Sequence, residues 1–199
     1  MPRTPTALAA ALIALPFIAR AETDWTGFYA GAQIDVLNGS AEVDFQTIDF
    51  RKQVAGIMVG YRQSLDGFVL GVELDYHRGR VGASQESVVR DRVTGEVTVI
   101  TQTYSFRIDR LVRLGVEAGV EMGPALVYGT AGIARIDFSG VPTADSGGSG
   151  HFYGIGVDYR VTDRVTVGAE LLRHRFHDLG FAGYSADPVT FGLNIGYRF

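Results

Sequence analysis

The chain has 199 residues, with 18 basic and 22 acidic side chains, a net charge of −4, 26 glycines and no cysteine. That length fits one domain, and the acidic balance argues against a nucleic-acid partner, which selects a basic face. Without cysteine there are no disulfides, thiolate ligands or cysteine nucleophile, so stability rests on the fold alone.

The first 21 residues read as a secretory signal peptide. Arg3 supplies a basic start, Ala7 to Ile18 a short apolar run, and Ala19-Arg20-Ala21 a small-x-small cleavage site. The run is too short to span a bilayer as a helix. Cleavage after Ala21 leaves residues 22–199 as one barrel domain. Because Arg3 and Arg20 leave with the leader, the mature charge falls from −4 to about −6. No later apolar stretch approaches the 18 residues a helical span needs.

Beyond the leader the chain is a succession of alternating segments. In the first, Phe28, Ala30, Ala32, Ile34 and Val36 share one face, and Tyr29, Gly31, Gln33 and Asp35 the other. The second, about Phe50 to Arg62, sets Ala55, Ile57, Val59 and Tyr61 against Gly56, Met58, Gly60 and Arg62. Residues 63–67 form a turn. The third sets Phe68, Leu70, Val72, Leu74 and Tyr76 against Val69, Gly71, Glu73, Asp75 and His77. The fourth, Thr103 to Val116, puts Tyr104, Phe106, Ile108, Val112 and Leu114 outward, with Arg107, Asp109, Leu111, Arg113 and Gly115 inward. It also leaves Arg110 on the outer face, at a cost of about 2–4 kcal/mol at mid-membrane, which a bulge or register shift there would relieve.

Glu117 to Met122 reads as a turn, and Pro124 to Phe138 as a fifth strand whose faces the pattern leaves open. The sixth, Phe152 to Tyr159, and the seventh, from Val165, flank a tight turn at 160–164; Asp158 and Glu170 fall on their inner faces. In the last, Phe191, Leu193, Ile195, Tyr197 and Phe199 alternate with Gly192, Asn194, Gly196 and Arg198 without exception. Aromatics at both ends with aliphatics between fit a lipid-facing strand and its two girdles.

The fold class this predicts is all-β: an eight-stranded antiparallel transmembrane up-and-down barrel. Short connections after even strands alternate with long ones after odd strands, near 37–48, 79–102, 139–150 and 178–187, as such a barrel requires. Thr94-Gly95-Glu96 reads as a hairpin tip, so the third and fourth strands are expected to project beyond the membrane. A soluble exported barrel is the rival, but its apolar face would point inward. Here the face opposite the apolar one mixes glycine with Asn, Arg, Asp and Glu, which suits a narrow interior where glycine makes room for large charged side chains.

Glu73, Asp75, Arg107, Arg113, Asp158 and Glu170 are the expected polar cluster of the lumen, with Arg62 and Arg198 near the periplasmic ends. Charges in so narrow a space must be paired or watered, so structural pairing is the leading reading and a gated pore the second. His174 and His177 are three apart, which puts them on opposite faces of a strand and makes a poor metal pair; His77 and His151 lie near outer ends. Ser185, His177 and Asp178 supply the residue types of the triad that an outer-membrane lipid hydrolase or acyltransferase would need, the third reading, with nothing to fix its geometry. Phe181 and Tyr184 read as loop packing. No metal, cofactor or catalytic site is expected, and the chain is read as non-enzymatic.

Several short elements carry a resemblance. Trp25-Thr26-Gly27-Phe28-Tyr29-Ala30-Gly31, Val112-Arg113-Leu114-Gly115-Val116 and Tyr128-Gly129-Thr130-Ala131-Gly132-Ile133-Ala134 stand in order. After them come Gly156-Val157-Asp158-Tyr159, Thr162-Asp163, Ala169-Glu170-Leu171 and Tyr197-Arg198-Phe199. Over essentially the whole mature length the chain resembles the porin-like surface antigen family of alphaproteobacteria, related to the OmpA-type membrane domain. Val116, Leu172 and Ala131 depart from that pattern in packing only. The resemblance implies an envelope protein of the outer membrane without established catalytic residues. It also implies that Tyr197 and Phe199 form the signal read by the barrel-assembly machinery. Expected partners are outer-membrane lipid, lipopolysaccharide and that machinery, with an unidentified loop ligand and a monomeric state; peptidoglycan anchoring is not expected.

Overall fold

Alternation of period two, repeated along the chain, leaves each strand with one apolar and one mixed face, and the backbone solves this by closing on itself. The computed structural model describes residues 24–43, 46–90, 97–139, 146–177 and 185–199. The expected signal peptide, 1–21, lies outside the described residues. Eight antiparallel strands run as β1 (Gly27–Val43), β2 (Gln46–Leu65), β3 (Phe68–Arg90), β4 (Val97–Met122), β5 (Ala125–Ser139), β6 (Ser146–Arg160), β7 (Val165–His177) and β8 (Val189–Arg198). Each pairs with the next, and β1 pairs with β8 from Tyr29↔Arg198 to Asn38↔Val189, closing the barrel.

The short connections gather at one end. Between β2 and β3 the turn is Asp66-Gly67, with φ of 53° and 87°, the doubly left-handed geometry that a two-residue hairpin loop of this type needs. At the other end the strands overrun their predicted limits. Parts of 37–48, 79–102 and 139–150 assigned to loops are strand, and β3 and β4 reach 23 and 26 residues. Since about 9–11 tilted residues cross a bilayer, the β3–β4 hairpin projects well beyond it, as its sequence pattern suggested. The tip, 91–96, lies outside the described residues.

The register fixes the shape. Tracing partners around the barrel leads from Phe68 through Val120, Val127, Val157, Ala169, Leu193, Ile34 and Ala55 to Arg78. One circuit therefore climbs about ten residues, which tilts the strands within the roughly 35–45° of membrane barrels.

Two strand assignments change. β4 runs through Glu117 to Met122, and the turn falls at Gly123-Pro124, where Gly123 has a φ of 63°. Leu111, Arg113 and Glu117 are buried, and so is Ile108, which simple alternation had sent outward. The register shifts between Ile108 and Arg110 on the β5 side, and between His77 and Gly79 on the β3 side. One extra residue in β4 is a bulge, and it reverses the faces above it. β5, left open by the pattern, buries Leu126, Tyr128, Thr130 and Ala134.

The outward faces are apolar: Ile57, Val116, Ile133, Ile155 and Leu193 are all more than half exposed. So much contiguous apolar surface belongs in lipid. Inside, space is made by pairing large side chains with the glycine directly opposite. Tyr29 lies against Gly60, His77 against Gly56, Tyr128 against Gly156, Glu117 against Gly71 and Asp158 against Gly168.

A methyl group at Gly156 would meet the Tyr128 ring, whereas one at outward Gly129 finds nothing nearer than 3.9 Å. Gly156→Ala is therefore expected to destabilise the refolded barrel by about 1–3 kcal/mol, and Gly129→Ala by less than about 0.5. Urea unfolding in one detergent would show it; equal midpoints would refute the pairing rule.

Candidate functional site

The inner faces of all eight strands converge on a closed lumen, and its charged groups form linked layers. Nearest the short turns, the Arg62 guanidinium donates to both oxygens of Glu117, Nε to Oε2 at 2.7 Å and Nη2 to Oε1 at 3.1 Å, and through Nη1 to Asp158 Oδ2 at 2.6 Å. Tyr29 and Tyr128 flank it, their ring centres 4.7 and 5.1 Å from Cζ. A bidentate pair with aromatic faces on its flanks suits the planar, weakly hydrated guanidinium.

Above lies a carboxylate layer. Tyr29 Oη donates to Glu73 Oε2 at 2.7 Å, and Tyr128 Oη to Glu170 Oε1 at 2.9 Å. Gln33 Nε2 donates to the other oxygen of Glu170 at 3.2 Å. One oxygen from each of Glu73, Glu117 and Glu170 lies within 4.8 Å of the others. These are the residues that could share a small cation. Each is already engaged by Tyr29, Arg62 or Tyr128, as in a hydrogen-bonded plug rather than an open ligand set.

The next layer centres on Arg113, whose side chain is fully buried. Its Nε donates to Asp75 Oδ2 at 3.1 Å and its Nη2 to Gln33 Oε1 at 3.3 Å, and its Nη1 is 3.6 Å from Asp35 Oδ2. His77 Nε2 approaches the same Asp35 oxygen at 3.1 Å. His174 Nδ1 shares a hydrogen bond with Thr190 at 3.2 Å, and its ring stacks between Phe152 and Phe176, each 5.7 Å away.

Apolar layers close both ends. Toward the long connections, Leu37, Val54, Ile108, Leu111, Ala134, Phe152, Leu172 and Phe176 form one cluster. Toward the turns, Trp25, Val69, Leu126 and Tyr128 form another, with the Arg160 guanidinium 4.6 Å over the Trp25 ring. The charged layers are thus enclosed between two hydrophobic seals.

Of the residues picked from sequence, Glu73, Asp75, Arg113, Asp158 and Glu170 come together here. Arg107 is part of β4, but its side chain lies outside the described ones. Four participants were missed. Glu117 falls in the stretch 117–122 that reads as a turn in the sequence and is the last part of β4 in the structure. Asp35, Gln33 and Tyr29 were on the right face, and only three-dimensional register shows that they reach the cluster. Tyr197 and Phe199 stack edge to face at 5.4 Å on the outer surface, and the Phe199 amide donates to the Phe28 carbonyl at 3.0 Å.

The histidines separate by face. His77 and His174 are buried, while His151 and His177 are exposed with ring centres 6.0 Å apart. His174 and His177 do face opposite ways, as their spacing required. Ser185 is exposed, and Asp178, Phe181 and Tyr184 lie outside the described residues.

A family model described as the outer membrane protein beta-barrel domain matches residues 6–199. A relative, the 22 kDa outer membrane protein of Rhizobium leguminosarum bv. viciae, is 29% identical over 187 residues, covering 88% of this chain and 78% of that protein. Among solved structures, Neisserial surface protein A is 17% identical with a TM-score of 0.49, covering 87% of this chain and 98% of that one. The outer membrane protease OmpT of Escherichia coli is 9% identical with a TM-score of 0.48, covering 90% and 99%.

Replacing Arg113 by Met leaves Asp35 and Asp75 buried without their guanidinium, and is expected to cost about 3–5 kcal/mol of stability. Adding Asp75→Asn should recover part of that loss by removing an orphaned charge. Denaturant titration of wild type and both variants decides; a neutral Arg113→Met would mean that the network contributes nothing.

Proposed function

Since the chain belongs to the outer-membrane β-barrel domain family and resides in the outer membrane, we propose that it is a non-enzymatic barrel. It braces the membrane and carries its four outer connections to the cell surface on strands that overrun the bilayer. The observation behind this reading is the lumen enclosed between the Phe152–Phe176 and Trp25–Leu126 seals. A transport path needs continuous water, and two packed apolar layers across a narrow barrel deny it one. A reacting group would need access, and the lumen carboxylates are at most 8% exposed.

Its partners in this reading are set by position. The lipid-facing band meets outer-membrane lipid and lipopolysaccharide, Tyr197 and Phe199 present an exposed aromatic end to the assembly machinery, and the surface connections offer a loop ligand its contact. The barrel works as a monomer. The close approach of Glu73, Glu117 and Glu170 favours a second reading, a narrow channel selective for cations if the seals part.

Planar-bilayer recording of the refolded protein separates the two. Wild type is expected to be silent, and Glu170→Ala equally so. A steady conductance in wild type, altered in that variant, would replace the bracing role with the channel.

A further inference from the structure

The outside of the barrel carries a band of cations at one height. Arg78, Arg110, Arg135, His151, Arg173 and Arg175 are all exposed, on strands β3 to β7. The register rises about ten residues per circuit, or just over one per strand. With that climb allowed for, the six fall within about two residues of a common level. Directly beneath, two residues nearer the short turns, lie Tyr76, Ile133, Tyr153 and Leu171. The arc therefore begins about 5 Å above the apolar band, on the side of the long connections.

Within the arc four of the five arginines are held in pairs by shared aspartates, while Arg78 Nε donates to the Asp109 backbone carbonyl at 3.0 Å. Arg110 Nε donates to Asp137 Oδ2 at 2.7 Å, and Arg135 Nε stands 3.4 Å from Asp137 Oδ1. Arg173 Nη2 and Arg175 Nε both stand 3.6 Å from Asp187 Oδ2. One carboxylate cannot occupy two guanidiniums, each with five N–H donors in a rigid fork, so each pair keeps donors free and a net positive charge. Exposed ion pairs add little to stability, so pairing with aspartate does not by itself account for arginines gathered at this height. The chain as a whole is acidic, which makes this local clustering of cations the more specific.

We propose that the arc is a binding site for the phosphate groups of the anionic glycolipid in the outer leaflet, with Arg110–Arg135 and Arg173–Arg175 as its two grips. The shared aspartates hold the forks in place, and the remaining N–H groups bind phosphate oxygens in bidentate fashion. The proposal rests on the barrel standing in the outer membrane with its long connections outward.

The test uses the refolded full chain and three probes in zwitterionic vesicles: bis-phosphorylated lipid A, its dephosphorylated form, and phosphatidylglycerol. Wild type is expected to bind the bis-phosphorylated lipid about tenfold more tightly than either of the others, since bidentate phosphate contacts are the main difference between them. The variant R110Q/R135Q/R173Q/R175Q should lose that preference, and each two-site variant part of it. Arg164→Gln, at the opposite end of the barrel, should keep it. Inorganic phosphate at millimolar concentration should compete only weakly, because a free ion lacks the lipid anchor. Unchanged preference in the four-site variant, an equal loss in Arg164→Gln, or equal binding of phosphatidylglycerol would each overturn the proposal. Heat-dependent gel mobility of the same samples reports folding; if the four-site variant fails it, the two-site variants and their Lys counterparts decide. A wild type that folds but does not insert would count against the membrane-bracing reading instead.

Discussion

Everything in this molecule depends on the hydrogen bonds between β1 and β8. In hydrocarbon an unpaired amide or carbonyl has no water to turn to, so a sheet with a free edge cannot span the bilayer. Closure from Tyr29↔Arg198 to Asn38↔Val189 removes the edge. It also fixes the radius, because eight strands climbing about ten residues per circuit leave a backbone cylinder only about 8 Å in radius. A lumen that narrow cannot hold large residues on facing positions. The cross-strand complements Tyr29–Gly60, His77–Gly56 and Tyr128–Gly156 are its direct consequence. Glycine, usually a weak strand former, is here what lets its partner fit.

The same narrowness explains the chemistry of the filling. Among the described residues, six buried carboxylates, Asp35, Glu73, Asp75, Glu117, Asp158 and Glu170, face two buried guanidiniums, Arg62 and Arg113. Two cations cannot neutralise six acids, and the geometry answers by making each guanidinium serve several. Arg62 holds Glu117 and Asp158; Arg113 holds Asp75 and Gln33 beside Asp35. The tyrosine hydroxyls supply donors where no guanidinium reaches. Such a network ties β2 to β6 across the lumen through Arg62 and Asp158, a link the backbone ladder does not provide. Strands far apart in the circuit are thereby held in one register.

Much of this was legible in the sequence because period two translates directly into inside and outside. Glu73 and Asp75 could be placed next to Leu74 and Tyr76 by counting, and Glu170 beside Leu171 likewise. What counting cannot supply is height, since the residues that meet across the lumen depend on the climb of the register. Gln33 and Glu170 are 137 positions apart, and only the closed ladder brings them into contact. Strand ends were harder still. Glu117 continues from Gly115 and Val116 without a break in the alternation, but Gly119 and the acidic Glu121 imitate a turn. The extensions past the membrane have no lipid-facing signature, so those long strands read as loops.

The bulge in β4 shows how one inserted residue can satisfy both faces of a wall. Strict alternation through 106–116 would place Ile108 in the lipid and a charged Asp109 in the lumen cap. With the extra residue at Asp109, Ile108 turns inward and joins Leu111, Phe152 and Leu172 in the seal. Below the bulge Leu111 and Arg113 keep the faces that alternation gave them, so the charged layer is undisturbed. Arg110 stays outside, within reach of Asp137 on β5. Its position above the apolar band, rather than in it, removes the mid-membrane penalty that its place in the sequence suggested. The irregularity therefore lies where the strand passes from lipid to headgroups, the one height at which an apolar cap inside and a cation outside are needed together.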